Sequence, residues 1–237
     1  MSNSYRPFVS FASALVLIAA LSTDGFAQVS SNPDEGSTRD LIGYTALAAE
    51  LGSDLADGSG TSVAIVEAFN GGPGNYLPAP AFVSGKTIND RGAPPEGETA
   101  GTSGHATGGA NNFFGRTSSS PGTDNADAYS AGFWLGGGGL NFGSSQAPLT
   151  QPYNVTNHSY ILNSSADFGT TEAEQLLVRL DYYIDQNDCL VVAGSSNALS
   201  TTLPVGLAPS FNVVAVGRTD GNHGAGPTTF YLSLIHI

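Results

Sequence analysis

The stretch from Tyr153 to Gly217 constrains the fold more than any other, because strand-like runs, apolar and unbroken over residues 190–193 and 213–216, stand on either side of one strongly periodic segment. Residues 155–162, 189–193 and 212–216 read as strands, and residues 171–187 read as a helix between the first and the second. Within the helix, Leu176, Leu177, Leu180, Tyr183 and Ile184 make one apolar face and Arg179 lies on another, while Thr171 and Glu174 have the spacing of a capping box. A strand that is apolar at every position has no solvent face. Such strands joined by a helix predict a βαβ unit in a parallel sheet covered on both sides, hence an α/β fold.

The same reasoning extends upstream. The run Thr61-Ser62-Val63-Ala64-Ile65-Val66-Glu67 predicts a buried strand that delivers a single carboxylate at its carboxyl-terminal tip. Functional residues of open α/β sheets gather at such tips. In residues 40–51, Leu41, Ile42, Tyr44, Leu47, Ala48 and Leu51 fall near helical spacing with Asp40 as N-cap and Gly52 as stop, predicting a short helix. Residues 69–103, punctuated by Pro73, Pro78, Pro80, Pro94 and Pro95, read as a long loop, which in a compact domain serves binding or closes as a lid. Residues 136–139, four glycines, read as a second flexible patch; they lack the Lys-Ser/Thr of a phosphate loop. No internal repeat is visible.

Charge narrows the partners. Seven Lys and Arg against 20 Asp and Glu leave a net charge of −13, which argues against a nucleic-acid phosphate backbone. With 40% hydrophobic and only 11% charged residues, the chain predicts a packed domain rather than a solvated, disordered one. The single Cys189, entering the run Leu190-Val191-Val192, excludes a disulfide framework and reads as a small core hydrophobe. Four scattered His without H-E-x-x-H or C-x-x-C spacing predict no structural zinc. Residues 1–27 have the form of a signal peptide: Arg6 at the start, an apolar run over residues 8–21, and Gly25-Phe26-Ala27 before the cut, so export is expected. The run is shorter than the ~20 residues of a spanning helix, and no later stretch is longer, so no membrane span is expected in the mature chain. Residues 28–57 then read as linker and amino-terminal helix.

Three features follow one another in a telling order. Glu67 ends a buried strand, His105 lies in Ser103-Gly104-His105-Ala106-Thr107-Gly108, and the polar turn Ala193-Gly194-Ser195-Ser196-Asn197 follows the strand Leu190-Val191-Val192. In this the sequence resembles the subtilases, the subtilisin-like serine peptidases, whose acid ends the first core strand and whose His opens a helix in H-x-x-G. In that family an Asn follows a V-V-A-A-A-G-N-like strand, and the nucleophile comes last, in G-T-S-x-A-x-P. Val155-Thr156-Asn157-His158-Ser159 is similar to the family's V-I-N-M-S strand, and Asn212-Val213-Val214-Ala215-Val216-Gly217 to its V-I-A-V-G strand, so the resemblance spans residues 60–220.

The resemblance implies a three-layer subtilisin-like α/β fold with a mainly parallel sheet over residues 58–231, incomplete at its carboxyl terminus. It implies an exported serine endopeptidase that hydrolyses polypeptides through an acyl-enzyme. Glu67 would be the acid, His105 the general base, Gly108 a tightly packed glycine behind it, and Asn197 the oxyanion-hole amide. No cofactor is required; bound calcium is compatible with the resemblance, although no D-x-[DN]-x-[DN]-G loop is present. The residue types answer to the chemistry. A Ser hydroxyl is a poor nucleophile until an imidazole accepts its proton, the imidazole needs a carboxylate to hold its tautomer, and an amide donor steadies the oxyanion.

Two features depart from the family pattern. Glu67 stands where the family generally has Asp, one methylene shorter. No Ser follows Asn197 in a G-T-S-x-A-x-P setting; Gly60-Thr61-Ser62 and Gly101-Thr102-Ser103 come too early in the order. The last six residues, Leu232-Ser233-Leu234-Ile235-His236-Ile237, look like the translation of a transposase adapter end used in sequencing libraries. The expectation is that the natural protein departs from this sequence near Leu232 and that the nucleophile lies beyond. Structural readings stay open beside the catalytic ones: a buried strand-end Glu in a bond network, a helix-start His and an Asx-bonded turn Asn. The second functional class is a secreted, non-catalytic peptide-binding domain.

Overall fold

The computed structural model describes residues 43–83, 85–116, 118–162, 170–194 and 206–216. They form a six-stranded sheet flanked by helices. Its strands are β1 (Val63–Glu67), β3 (Thr87–Asp90), β5 (Asn125–Ser130), β6 (Val155–His158), β7 (Leu190–Gly194) and β8 (Val213–Val216), in the order β3-β5-β1-β6-β7-β8. Every adjacent pair in this sheet is parallel. A second, two-stranded parallel pair joins β2 (Asn75–Leu77) to β4 (Gly101–Thr102). Among the described residues, the helices of eight residues or more are α1 (Tyr44–Leu51), α2 (Gly104–Phe114) and α3 (Thr170–Asn187).

Alternation along β1 builds both layers of core. Ala64 and Val66 face α3, where Leu176, Leu180, Tyr183 and Ile184 pack with Trp134, Leu140, Tyr129 and Tyr153. Val63 and Ile65 face α2, against Ala110, Phe114, Ala126 and Ala128. All five β1 residues are buried because the strand is sandwiched between β5 and β6 and covered on both faces. Burying Val63, Ile65 and Val66 is worth roughly 1.5–3 kcal/mol each, enough to hold this strand at the centre. The period of two then puts Glu67 on the α2 side with Val63 and Ile65.

Topology singles out one end of β1. After β1 the chain builds the sheet on one side through β3 and β5, then crosses to the other for β6, β7 and β8. The direction of growth reverses around β1, and in open parallel sheets the crevice at the carboxyl ends beside such a reversal is the usual ligand site.

Several sequence expectations are corrected. Residues 69–103 are not one loop, since they contain β2, β4 and the edge strand β3 of the main sheet. Residues 136–139 are not a flexible patch: Trp134–Gly138 is a π-helical turn with Trp134, Leu135 and Gly138 buried. A Cβ on Gly139 would stand 2.5 Å from the Trp134 ring, so glycine is what lets the chain close over the indole. The α3 helix begins at Thr170, which places Thr171 inside it rather than at a capping box. β6 stops at His158 instead of running to Leu162. α1 starts after Gly43, in the left-handed region at φ 78°, and buries none of its side chains; Asp40 lies outside the described residues. Cys189 is free and buried, in keeping with a core residue. Burial pushes its thiol up to about 11.

Candidate active site

The site begins with two element ends. β1 carries Glu67 to its carboxyl tip, where the side chain is only 1% exposed. α2 starts at Ser103, whose extended backbone and hydroxyl make an N-cap, with Oγ accepting from the Ala106 amide at 3.2 Å. The Thr107 hydroxyl donates to the Ser103 carbonyl at 2.7 Å and accepts from the Ala79 amide at 2.8 Å, tying the helix start to the loop beyond β2. Ala106, Ala110 and Phe114 face the sheet, so the preceding position, His105, lies at the edge of that face beside Glu67.

His105 Nδ1 and Glu67 Oε2 are 2.8 Å apart. The imidazole is 36% exposed, so one edge meets a buried carboxylate while the ring remains reachable from solvent. Burial pushes the Glu67 carboxyl up, and the hydrogen bond and positive charge of His105 oppose that. The bond from Glu67 lifts His105 above its ordinary value, against a smaller effect of burial. The two groups titrate as a pair. With the carboxylate ionised and Nδ1 protonated, the ring lone pair resides on Nε2, on the side away from Glu67. That is the tautomer of a general base, and a proton arriving at Nε2 is stabilised by the carboxylate.

Gly108 does not have the role expected of it. A Cβ there would meet nothing within 4 Å, whereas one on Gly109 would lie 3.1 Å from Glu67 Oε1. The close approach of helix to acid occurs one residue later than the H-x-x-G spacing implies. Beside the same oxygen is Ser159, just beyond β6. Its hydroxyl accepts from Asn157 Nδ2 at 2.6 Å, and it draws the Glu67 titration down without completing a hydrogen bond to Oε1.

Of the three residues expected to act together, the structure brings Glu67 and His105 into contact; Asn197 lies outside the described residues. The two early G-T-S serines are elsewhere. Ser103 Oγ is occupied by the helix cap. Ser62 precedes β1, at the opposite end of the strand from Glu67, about 16 Å away along an extended chain. A histidine that sequence reasoning passed over, His158, is 1% exposed and stacks edge-on to Trp134 with ring centroids 4.4 Å apart. Nε2 lies 3.1 Å from Thr156 Oγ1, and burial alone pushes its pKa down to about 3, so it is a neutral core residue. Its place on an i, i+2 core face with Thr156 was the available signal.

Two open clefts, of about 410 and 360 Å³, both lie at amino-terminal strand ends and contain neither Glu67 nor His105. The pair belongs to the carboxyl edge, where the topology favours a ligand. Among the described residues, no cluster of three or more His, Cys, Asp or Glu could hold a metal ion. No described helix is long and apolar enough to cross a membrane. Comparison with known proteins finds no matching family model and no matching curated protein.

Proposed function

We propose that this chain belongs to an exported serine endopeptidase with a subtilisin-like fold, in which Glu67 is the acid and His105 the general base. The observation that carries the reading is the 2.8 Å contact between the buried Glu67 carboxylate and His105 Nδ1 at the carboxyl tip of β1. The parallel sheet, the helix opened by His105 and the chain order of acid before base all agree with it.

The chemistry follows from the pair. A Ser hydroxyl, carried by the natural chain beyond Tyr231, attacks the carbonyl carbon of the scissile peptide bond as its proton passes to His105 Nε2. The carbonyl oxygen gains the negative charge, which Asn197 meets with its amide, and Glu67 steadies the imidazolium through Nδ1. Collapse breaks the C–N bond while Nε2 returns the proton to the leaving amine. Water then attacks the acyl carbon as its proton passes to Nε2, collapse breaks the ester bond to Ser Oγ, Nε2 returns the proton to that oxygen, and the acyl group leaves as the carboxylic acid. Polypeptide is the substrate, and none of these steps uses a cofactor.

The test is to read the natural gene through the codon for Tyr231, express its product and assay peptide hydrolysis. A G-T-S-x-A-x-P segment and measurable hydrolysis are expected, with His105→Ala lowering kcat by about 10⁶-fold and Glu67→Gln by about 10⁴-fold. Hydrolysis untouched by His105→Ala, or a gene without such a Ser, would replace this reading with that of a non-catalytic peptide-binding domain.

A further inference from the structure

The Glu67 carboxylate has one oxygen engaged and one that is not. Oε2 meets His105 Nδ1 at 2.8 Å, whereas Oε1 is buried and accepts no hydrogen bond. Oε1 lies against the backbone of α2 at Gly109, where an added Cβ would stand 3.1 Å from it and 3.7 Å from Ser159 Oγ. A contact that short forces the oxygen to move by a few tenths of an ångström. Gly109 is four residues beyond His105, one helical turn along the same face of α2. The helix therefore touches the carboxylate at two points: His105 binds one oxygen, and Gly109 makes space for the other.

We propose that Gly109 is a positioning residue matched to Glu67, and that its missing Cβ makes the room a Glu needs to bring Oε2 onto His105 Nδ1. An Asp at position 67 ends one methylene earlier and leaves the space beside Gly109 empty, so the demand for glycine arises from the longer acid. Helix propensity points the other way, because Ala is the better residue in a helix interior. Gly108, with open space where its Cβ would be, has no such part. The inference rests on Glu67 and His105 being the acid–base pair, yet its test requires no catalysis.

The experiment follows the His105 imidazole titration by NMR in the full chain, in four forms: parent, Gly109→Ala, Glu67→Asp, and the two substitutions together. The signal is assigned by its loss in His105→Asn. In the parent background Gly109→Ala is expected to lower the His105 midpoint by about half a pH unit or more, because the carboxylate is displaced from Nδ1. In the Glu67→Asp background the same substitution is expected to leave the midpoint where it was, a non-additivity that marks direct coupling. An equal shift in both backgrounds, or none in the parent, would overturn the proposal. Should Gly109→Ala alone fail to fold, recovery of folded protein in the double variant supports the match and failure of both overturns it. Loss of coupling while His105→Ala still abolishes hydrolysis would remove Gly109's role and leave the peptidase reading intact. Coupling without hydrolysis would do the reverse.

Discussion

Glu67 and His105 respond to pH through each other, and His158 responds through burial alone. Because Glu67 raises His105, the imidazole must lose its proton above the ordinary value near 6.5 before Nε2 can act as a base. The acid limb of kcat/KM is expected above pH 6.5, and Glu67→Gln is expected to move it downward by removing the charge that holds the proton; a pH–rate profile of both forms checks this. A raised folded-state pKa also means that His105 stabilises the fold fully below pH 6.5 and ceases to do so as pH rises through its folded value. His158 has the opposite sign. Its folded pKa of about 3 against 6.5 unfolded means full stability above pH 6.5, lost as pH falls toward 3. The slope is about 1.4 kcal/mol per pH unit, on the order of 4 kcal/mol over the window. Replacing His158 by Met is expected to flatten the stability curve between pH 6.5 and 3, measured by denaturant unfolding at several pH values. A slope unchanged in the variant would assign acid sensitivity to other groups.

At the scale of elements, strands that are apolar by themselves were legible, and strands stabilised by distant partners were not. β1, β7, β8 and α3 announce themselves through unbroken runs or a helical period, and the structure shifts their ends by one or two residues. β5, Asn125-Ala126-Asp127-Ala128-Tyr129-Ser130, has no such signature, because its alanines are small enough to lie under α2 and its acid is satisfied from elsewhere. Asp127 accepts from Asn89 Nδ2 at 2.8 Å, Arg91 Nε at 3.1 Å and the Tyr153 hydroxyl at 2.7 Å. Behind that lies a relay: Gln151 Nε2 donates to the Tyr129 hydroxyl, which donates to Tyr153, which donates to Asp127. These partners are 22 to 38 residues apart in the chain, so no local window contains them. β3 is a four-residue edge strand with an exposed residue at each end, equally silent in the sequence. Tyr153→Phe breaks the relay at its middle, leaving the Tyr129 hydroxyl without its acceptor and Asp127 one donor short. A loss of about 1–3 kcal/mol is expected in denaturant unfolding; a change within about 0.5 kcal/mol would mean that the relay adds nothing to stability.

For the molecule as a whole, the parallel sheet was readable from the apolar runs, but cover on both faces is complete only at β1, since Leu190 of β7 and Val214 and Val216 of β8 are exposed; the site was readable only from the order of motifs. Glu67 and His105 are 38 residues apart, and their meeting follows from a helix start capped by Ser103 and a period-two alternation along β1. The motif spacing pointed to Gly108, but the close approach of the helix to the Glu67 carboxylate is at Gly109, where an added Cβ would stand 3.1 Å from Oε1. Reversal of the sheet around β1 places this pair, rather than either open cleft, where an α/β sheet takes its ligand. The direct measurement is active-site labelling of the natural gene product with a fluorophosphonate, followed by mapping of the modified residue. A single labelled Ser in the natural chain beyond Tyr231, with labelling abolished by His105→Ala, is the expected result. No labelled Ser, or labelling indifferent to His105, would contradict the assignment of Glu67 and His105 as the acid and base of a serine peptidase.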